Sequence, residues 1–149
     1  MIGRRILLSG IVALAACAAP PAPREAAPAG PAGPAEVQRL IGEWAARYEI
    51  PEGLLTRVVR EESTFNPAAR NGPYRGLMQI HPQTAATMGH RGPPEALFDA
   101  DTNLRYGAKY LRGAWLVAGR DPEAAIGWYR RGYYYEGKRL GLLEETGLR

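Results

Sequence analysis

The sequence predicts a mainly α-helical fold, and three observations carry that prediction. Apolar residues recur at helical spacing in three separate stretches, with a shorter fourth near the C-terminus. Gly/Pro clusters such as Asn71-Gly72-Pro73 and Gly92-Pro93-Pro94 punctuate those stretches as loops. No run alternates apolar and polar residues as a half-buried strand does. A length of 149 residues accommodates one globular domain with short appendages, and an apolar content of 46% is sufficient for a core. These values exclude an enzyme with a separate cofactor domain, and no internal repeat is present.

The elements follow in chain order. Arg4 and Arg5 precede an apolar run from Ile6 to Ala16, the n-region and h-region of a secretory signal. The run is shorter than the ~20 residues that span a bilayer core. It ends in Leu14-Ala15-Ala16-Cys17, which resembles the lipobox of bacterial lipoproteins; the resemblance implies signal removal and acylation at Cys17. Several acyl chains at ~0.8 kcal/mol per buried methylene would make that attachment lasting. Ala18 in place of Asp implies, within the same resemblance, sorting to the outer membrane. Cys17 is the single cysteine of the chain, so an intrachain disulfide framework and a cysteine-rich metal site are excluded. Residues 17–35 then read as a tether, because Ala, Pro and Gly dominate and six prolines hold the backbone extended. The expected organisation is a signal peptide over 1–16, a lipidated cysteine and tether over 17–35, and one domain over 36–149.

Charge sharpens this division. The formal charge of +4 and pI of 9.5 invite an anionic partner. Setting aside residues 1–35 removes Arg4, Arg5, Arg24 and Glu25, which leaves the domain at +2. A nucleic-acid partner is not expected of an exported, nearly balanced domain.

Within the domain, Val37, Leu40, Ile41, Trp44, Ala45 and Tyr48 form one helical face. Pro51 opens a second helix, where its fixed φ suits the first turn, and Leu54, Leu55, Val58 and Val59 make its buried stripe. A third helix carries Leu104, Gly107, Ala108, Leu111, Ala114, Trp115 and Ala118, starting near Asp101 and stopping at Gly119. Asp121-Pro122 supplies a cap and a first-turn proline for a short helix through Trp128. About six helices are expected in all.

Continuing the stripe 54, 55, 58, 59 by one turn reaches Glu62, a carboxyl on the apolar face at the C-terminal end of its helix. Low solvation and the negative helix terminus both disfavour a bare charge in such a position, which suits a general acid. Glu61, next to it, faces solvent on the same helical wheel.

The segment Glu62-Ser63-Thr64-Phe65-Asn66-Pro67, followed by Gly76-Leu77-Met78-Gln79-Ile80, resembles the paired motif of the soluble-lytic-transglycosylase family. Leu97-Phe98-Asp99 through Asn103, Gly107, Tyr110 and Leu111 is similar to that family's next helix. The resemblance covers essentially all of 36–149 and implies a lysozyme-like helical domain with a substrate cleft, acting on peptidoglycan glycan strands with no cofactor. It assigns Glu62 as catalytic acid/base. A retaining or inverting glycosidase needs two carboxylates, ~5 to 5.5 Å or ~6.5 to 9.5 Å apart. The motif region offers only Glu62, since Asp99 and Asp101 lie where a helix start calls for a cap. The family mechanism needs no second carboxylate. Glu62 would protonate the bond between N-acetylmuramic acid and N-acetylglucosamine, then deprotonate the 6-hydroxyl to close a 1,6-anhydro ring.

The resemblance also places Met78 and Gln79 along the cleft, where a Gln amide could bond an N-acetyl group in both directions. Ser63 orients the acid or satisfies the helix end, and Tyr129 is expected to bring its hydroxyl to Glu62. Two departures stand out: Arg130 replaces the Asn of the usual Ala-Tyr-Asn-x-Gly, and Pro73-Tyr74 stand where Gly-Ala is common. His81 faces solvent or sugar, and with His90 it makes no metal-ligand cluster, so no metal is expected. One of Tyr133, Tyr134 and Tyr135 is expected to meet substrate, with Lys138 and Arg139 nearby. The leading expectation is a lipoprotein lytic transglycosylase on the periplasmic side of the outer membrane. The alternatives are a hydrolytic muramidase and a noncatalytic peptidoglycan-binding or assembly lipoprotein.

Overall fold

The computed structural model describes residues 33–148, so Cys17, the signal segment and most of the tether lie outside the described residues. Six α-helices carry the fold: α1 (Pro34–Arg47), α2 (Glu52–Ser63), α3 (Pro82–Thr87), α4 (Ala100–Val117), α5 (Pro122–Arg131) and α6 (Tyr134–Leu140). α1 starts at Pro34, inside the stretch read as tether, because a proline fits a first helical turn that lacks N–H partners anyway.

α4 is the central helix, packed by α1 and α5, with α3 and α6 against it as well. Leu104, Ala108, Leu111 and Ala114 are fully buried along its length. Opposite them, α1 contributes Val37, Leu40 and Ile41, and α2 contributes Leu54, Leu55, Val58 and Val59. Each large aliphatic side chain buried in this way contributes ~1.5 to 3 kcal/mol. Polar ties fix the register of α1 on α4: Trp44 Nε1 donates to Asp101 Oδ1 at 2.8 Å, and the Tyr48 hydroxyl donates to the Arg105 carbonyl at 2.9 Å.

Helix starts follow their caps. Asp121 accepts from the Ala124 N–H at 2.7 Å and opens α5. At α4 the cap is Asp99, which accepts from the Thr102 N–H at 2.8 Å, two residues before the start expected from sequence. Asp101 is instead the partner of Trp44, so the helix begins one turn earlier than its apolar stripe.

The chain contains a small antiparallel hairpin, β1 (Arg70–Asn71) and β2 (Tyr74–Arg75), closed through Gly72-Pro73, with a further bridge from Arg75 to Ile80. Two-residue strands are too short to display alternation. The Gly92-Pro93-Pro94 loop passes into a 3-10 turn over Pro94–Phe98. Among the described residues no helix is long and apolar enough to cross a membrane.

Candidate active site

The site is built where α2 ends. Ser63 is its last residue, and its Oγ donates to the Leu77 carbonyl at 2.7 Å and lies 3.0 Å from the Val59 carbonyl, the alternative acceptor for its one proton. The Leu77 contact pins the helix end to the Gly76–Ile80 segment. The chain then leaves α2 through two consecutive left-handed residues, Thr64 at φ 52° and Phe65 at φ 61°, neither of them glycine. Gln79 is a third, at φ 44°. Such conformations cost ~1 to 3 kcal/mol each and persist where the surroundings over-determine them. All three flank the carboxyl-bearing helix end and the loop facing it.

Asn103 supplies much of that determination. It is fully buried on α4, and its amide donates to the Arg75 carbonyl at 2.8 Å and to the Leu97 carbonyl at 2.7 Å. Its Oδ1 accepts from the Met78 N–H at 2.8 Å. Gly76, at φ 73°, allows this close approach: a Cβ there would lie 2.3 Å from both Asn103 Nδ2 and the Leu97 carbonyl.

Glu62 projects from the last turn of α2 with its side chain 21% exposed. It is not isolated on an apolar face as the stripe implied, because Arg130 Nε donates to Glu62 Oε1 at 3.1 Å. The same guanidinium donates to Glu61 Oε2 at 2.7 Å, and Glu61 in turn accepts from Arg57 Nε at 2.7 Å. Arg57 also pairs with Glu123. A chain of charges therefore runs Glu123–Arg57–Glu61–Arg130–Glu62 and joins the end of α2 to α5. Hydrogen bonding from Arg57, aided by Arg130, lowers the Glu61 carboxyl below its ordinary value. The Arg130 guanidinium is raised chiefly by its bond to Glu62.

Tyr129 departs from its expected partner. Its hydroxyl donates to the Met78 carbonyl at 2.7 Å, a bond to backbone and not to the Glu62 carboxyl. Burial pushes this hydroxyl well above its usual range and the nearby Glu62 charge adds to the effect, so Tyr129 remains a neutral donor. Arg130, the departure from the family pattern, is the group that touches the acid.

A cleft of about 600 Å³ opens beside these groups. Gln79, His81, Tyr129, Arg130 and Tyr134 are in its wall; Glu62 adjoins it through Arg130. Gln79 is anchored, since its Nε2 donates to the Ala69 carbonyl at 3.0 Å and the Gly76 carbonyl at 2.9 Å. Both amide protons are thereby engaged, and only Oε1 is left to meet a ligand, as an acceptor, in place of the two-way bond expected. Met78 is corrected further: its side chain is fully buried in the core, against Gly107, and only its backbone takes part in the site. His81 caps α3 through Nδ1, which accepts from the Gln83 N–H at 3.1 Å, and lies edge-on to Tyr74 in the cleft wall. Of the three tyrosines, Tyr133 is core, Tyr134 is in the cleft wall and Tyr135 is 84% exposed. Arg139 pairs with Glu136. Among the described residues no three His, Cys, Asp or Glu side chains come together as a metal site.

Sequence reasoning brought Glu62, Ser63, Gln79 and Tyr129 to one place and missed the roles of Asn103, Arg57 and Arg130. The Arg57–Glu61 pair has a visible signal in its i, i+4 spacing. Arg130 is marked only as a departure from the family pattern, and nothing in the sequence points to its partners, which lie about seventy residues away.

A small helical domain with an acid at a helix end beside an open cleft is the arrangement of the lysozyme-like class of glycan-active folds. Comparison with known proteins narrows this. A family model described as "Transglycosylase SLT domain" matches residues 39–140. The "Membrane-bound lytic murein transglycosylase C" of Yersinia pestis (strain Pestoides F) is 36% identical over 80 residues, covering 48% of this chain and 22% of that protein. Its namesake in Yersinia pseudotuberculosis matches to the same extent, 36% over 80 residues. The crystal structure of the 70 kDa soluble lytic transglycosylase SLT70 from Escherichia coli aligns with a TM-score of 0.62 and 26% identity, covering 76% of this chain and 19% of that one. The complex of the 70-kDa soluble lytic transglycosylase with bulgecin A aligns at 0.63, with 26% identity and the same coverage, 76% and 19%. The chain spans about a fifth of the length of these relatives. It belongs to the transglycosylase SLT domain family.

Proposed function

We propose that the chain is a lytic transglycosylase that cleaves peptidoglycan glycan strands between N-acetylmuramic acid and N-acetylglucosamine, with Glu62 as acid and then base. The observation that carries this reading is the Glu62 carboxyl at the end of α2, held beside the cleft by Arg130 on the helix end that Ser63 ties to the Gln79 loop. Family membership and the printed activity of the relatives support it.

The chemistry needs one group to do two jobs. Oε1 of Glu62 accepts from Arg130, which leaves Oε2 to carry a proton. That proton passes to the glycosidic oxygen as the bond breaks, and the substrate's own N-acetyl group or ring stabilises the cationic carbon. Glu62 then takes the proton of the muramic 6-hydroxyl while its oxygen bonds the anomeric carbon, closing the 1,6-anhydro ring. The proton count returns to its start and no water is consumed. Gln79 Oε1, fixed by the two bonds of its Nε2, is positioned to accept from a sugar N–H or O–H.

The same reading places the enzyme on the periplasmic side of the outer membrane, lipid-anchored at Cys17 with residues 18–33 as a spacer ahead of α1. The lipobox-like sequence supports this, as does the word "membrane-bound" in the relatives' name. Replacement Glu62→Gln tests the catalytic assignment: turnover of purified sacculi is expected to fall by ~10²- to 10⁴-fold, the usual worth of a general acid. Unchanged turnover would remove Glu62 from the mechanism. For the anchor, Cys17→Ser is expected to release the protein from the membrane fraction; retention there would contradict it.

A further inference from the structure

The cleft continues into a second groove of about 470 Å³, and the two share Arg131, Gly132 and Tyr134. The groove adds Trp128, Tyr135 and Arg139, so the trough is aromatic and basic at this end. The cleft wall itself carries Arg130 and Arg131 and no aspartate or glutamate. The charge of Arg130 is met by Glu61 and Glu62. That of Arg131 is not: among the described residues no carboxylate lies within ion-pair distance of it, and the acid nearest in the groove, Glu136, is held by Arg139.

Arg131 is nevertheless held in place. Its guanidinium carbon lies 3.8 Å from the centroid of the Trp128 ring, one helical turn back. Gly127, four residues back, clears the space, since a Cβ there would fall 2.9 Å from Arg131 Nη1. Glycine is a poor helix former in a helix interior, and at this position it leaves room for the Arg131 guanidinium. A guanidinium whose carbon sits over an indole keeps its N–H donors free, and a planar guanidinium receives a carboxylate through two parallel bonds.

We propose that Arg131, seated on Trp128 in the space left by Gly127, is a carboxylate-binding specificity residue of the cleft that takes an acid group borne by the glycan strand. The inference rests on the peptidoglycan reading of the cleft. Such a strand offers that chemistry from two sources: the lactyl group of muramic acid where the peptide stem is missing, and the acid groups of the stem where it is present.

The test measures binding of soluble, labelled glycan strands to the full chain carrying Glu62→Gln, so that strands are not consumed. Stem-bearing and amidase-stripped strands are each compared before and after carbodiimide amidation of their carboxylates. Amidation is expected to weaken binding about tenfold, the scale of one charge-assisted contact, and adding Arg131→Gln is expected to abolish the difference. Whichever strand form shows the difference identifies the source of the acid. Gly127→Ala, which keeps the charge but crowds its seat, is expected to weaken the untreated strand and leave the amidated strand unchanged. The proposal is overturned if amidation has no effect on the Arg131 protein, or if Arg131→Gln weakens both strand forms equally. Products of the Glu62 enzyme, analysed alongside, report separately on the transglycosylase reading: reducing ends would overturn that reading and leave a carboxylate-dependent affinity standing.

Discussion

Glu62 is held beside the cleft because three neighbours fix what surrounds it. Ser63 ties the helix end to the Leu77 carbonyl, Arg130 holds Oε1, and Asn103 holds the loop opposite from below. Asn103 makes the sharpest prediction at this scale. Asn103→Leu keeps the volume but strands the Met78 N–H and the Leu97 carbonyl in a buried place, while the Arg75 carbonyl keeps its bond from the Ile80 N–H. Each such loss costs ~1 to 3 kcal/mol, so a total destabilisation of about 3 kcal/mol is expected by urea unfolding, with activity lost as the Gln79 loop moves. A change below about 1 kcal/mol would mean that the loop is held by other means. Met78 and Tyr129 show why side-chain roles were less legible than positions. Both stand where the motif puts them, yet Met78 turns into the core and Tyr129 gives its proton to the backbone of that same residue.

At the scale of elements, α1, α2, α4 and α5 were readable because each carries an apolar stripe longer than two turns, helped at α4 and α5 by an aspartate cap. α3 and α6 were not placed, since six- and seven-residue helices show too little periodicity to separate from loop. The start of α4 slipped because Asp99 and Asp101 are equally good caps locally, and a contact from α1, Trp44 to Asp101, settles which one serves. Asp121 was read correctly from two letters, Asp-Pro, and Asp121→Ala is expected to cost about 1 kcal/mol in thermal unfolding. The α2–α5 charge chain makes a pH prediction. Glu61 titrates below its ordinary value when folded, so its contribution is fully present above 4.5 and is lost as pH falls through the lowered native value. These side chains are partly exposed, so Glu61→Gln should cost no more than about 0.5 kcal/mol at neutral pH and low salt. The cost should shrink in acid and in high salt; a cost that grew on acidification would contradict the pairing.

For the whole molecule, composition alone pointed the wrong way. A pI of 9.5 suggested a general anionic partner, whereas the domain is nearly balanced and the cleft wall carries two arginines, Arg130 and Arg131. The fold was recognisable because its motifs sit on the helix end and loop that must face each other for a single acid to act twice. What the residue order did not reveal is the long-range wiring, Arg130 to Glu62 above all, which exists only once α5 docks beside α2. The reading as a whole turns on the absence of water from the products. Mass spectrometry of the strand ends released from sacculi by the full chain tests this most directly. The account predicts muramic ends lighter by one water, in the 1,6-anhydro form, made by the Glu62 protein and not by Glu62→Gln. Reducing muramic ends at the full hydrated mass would contradict it.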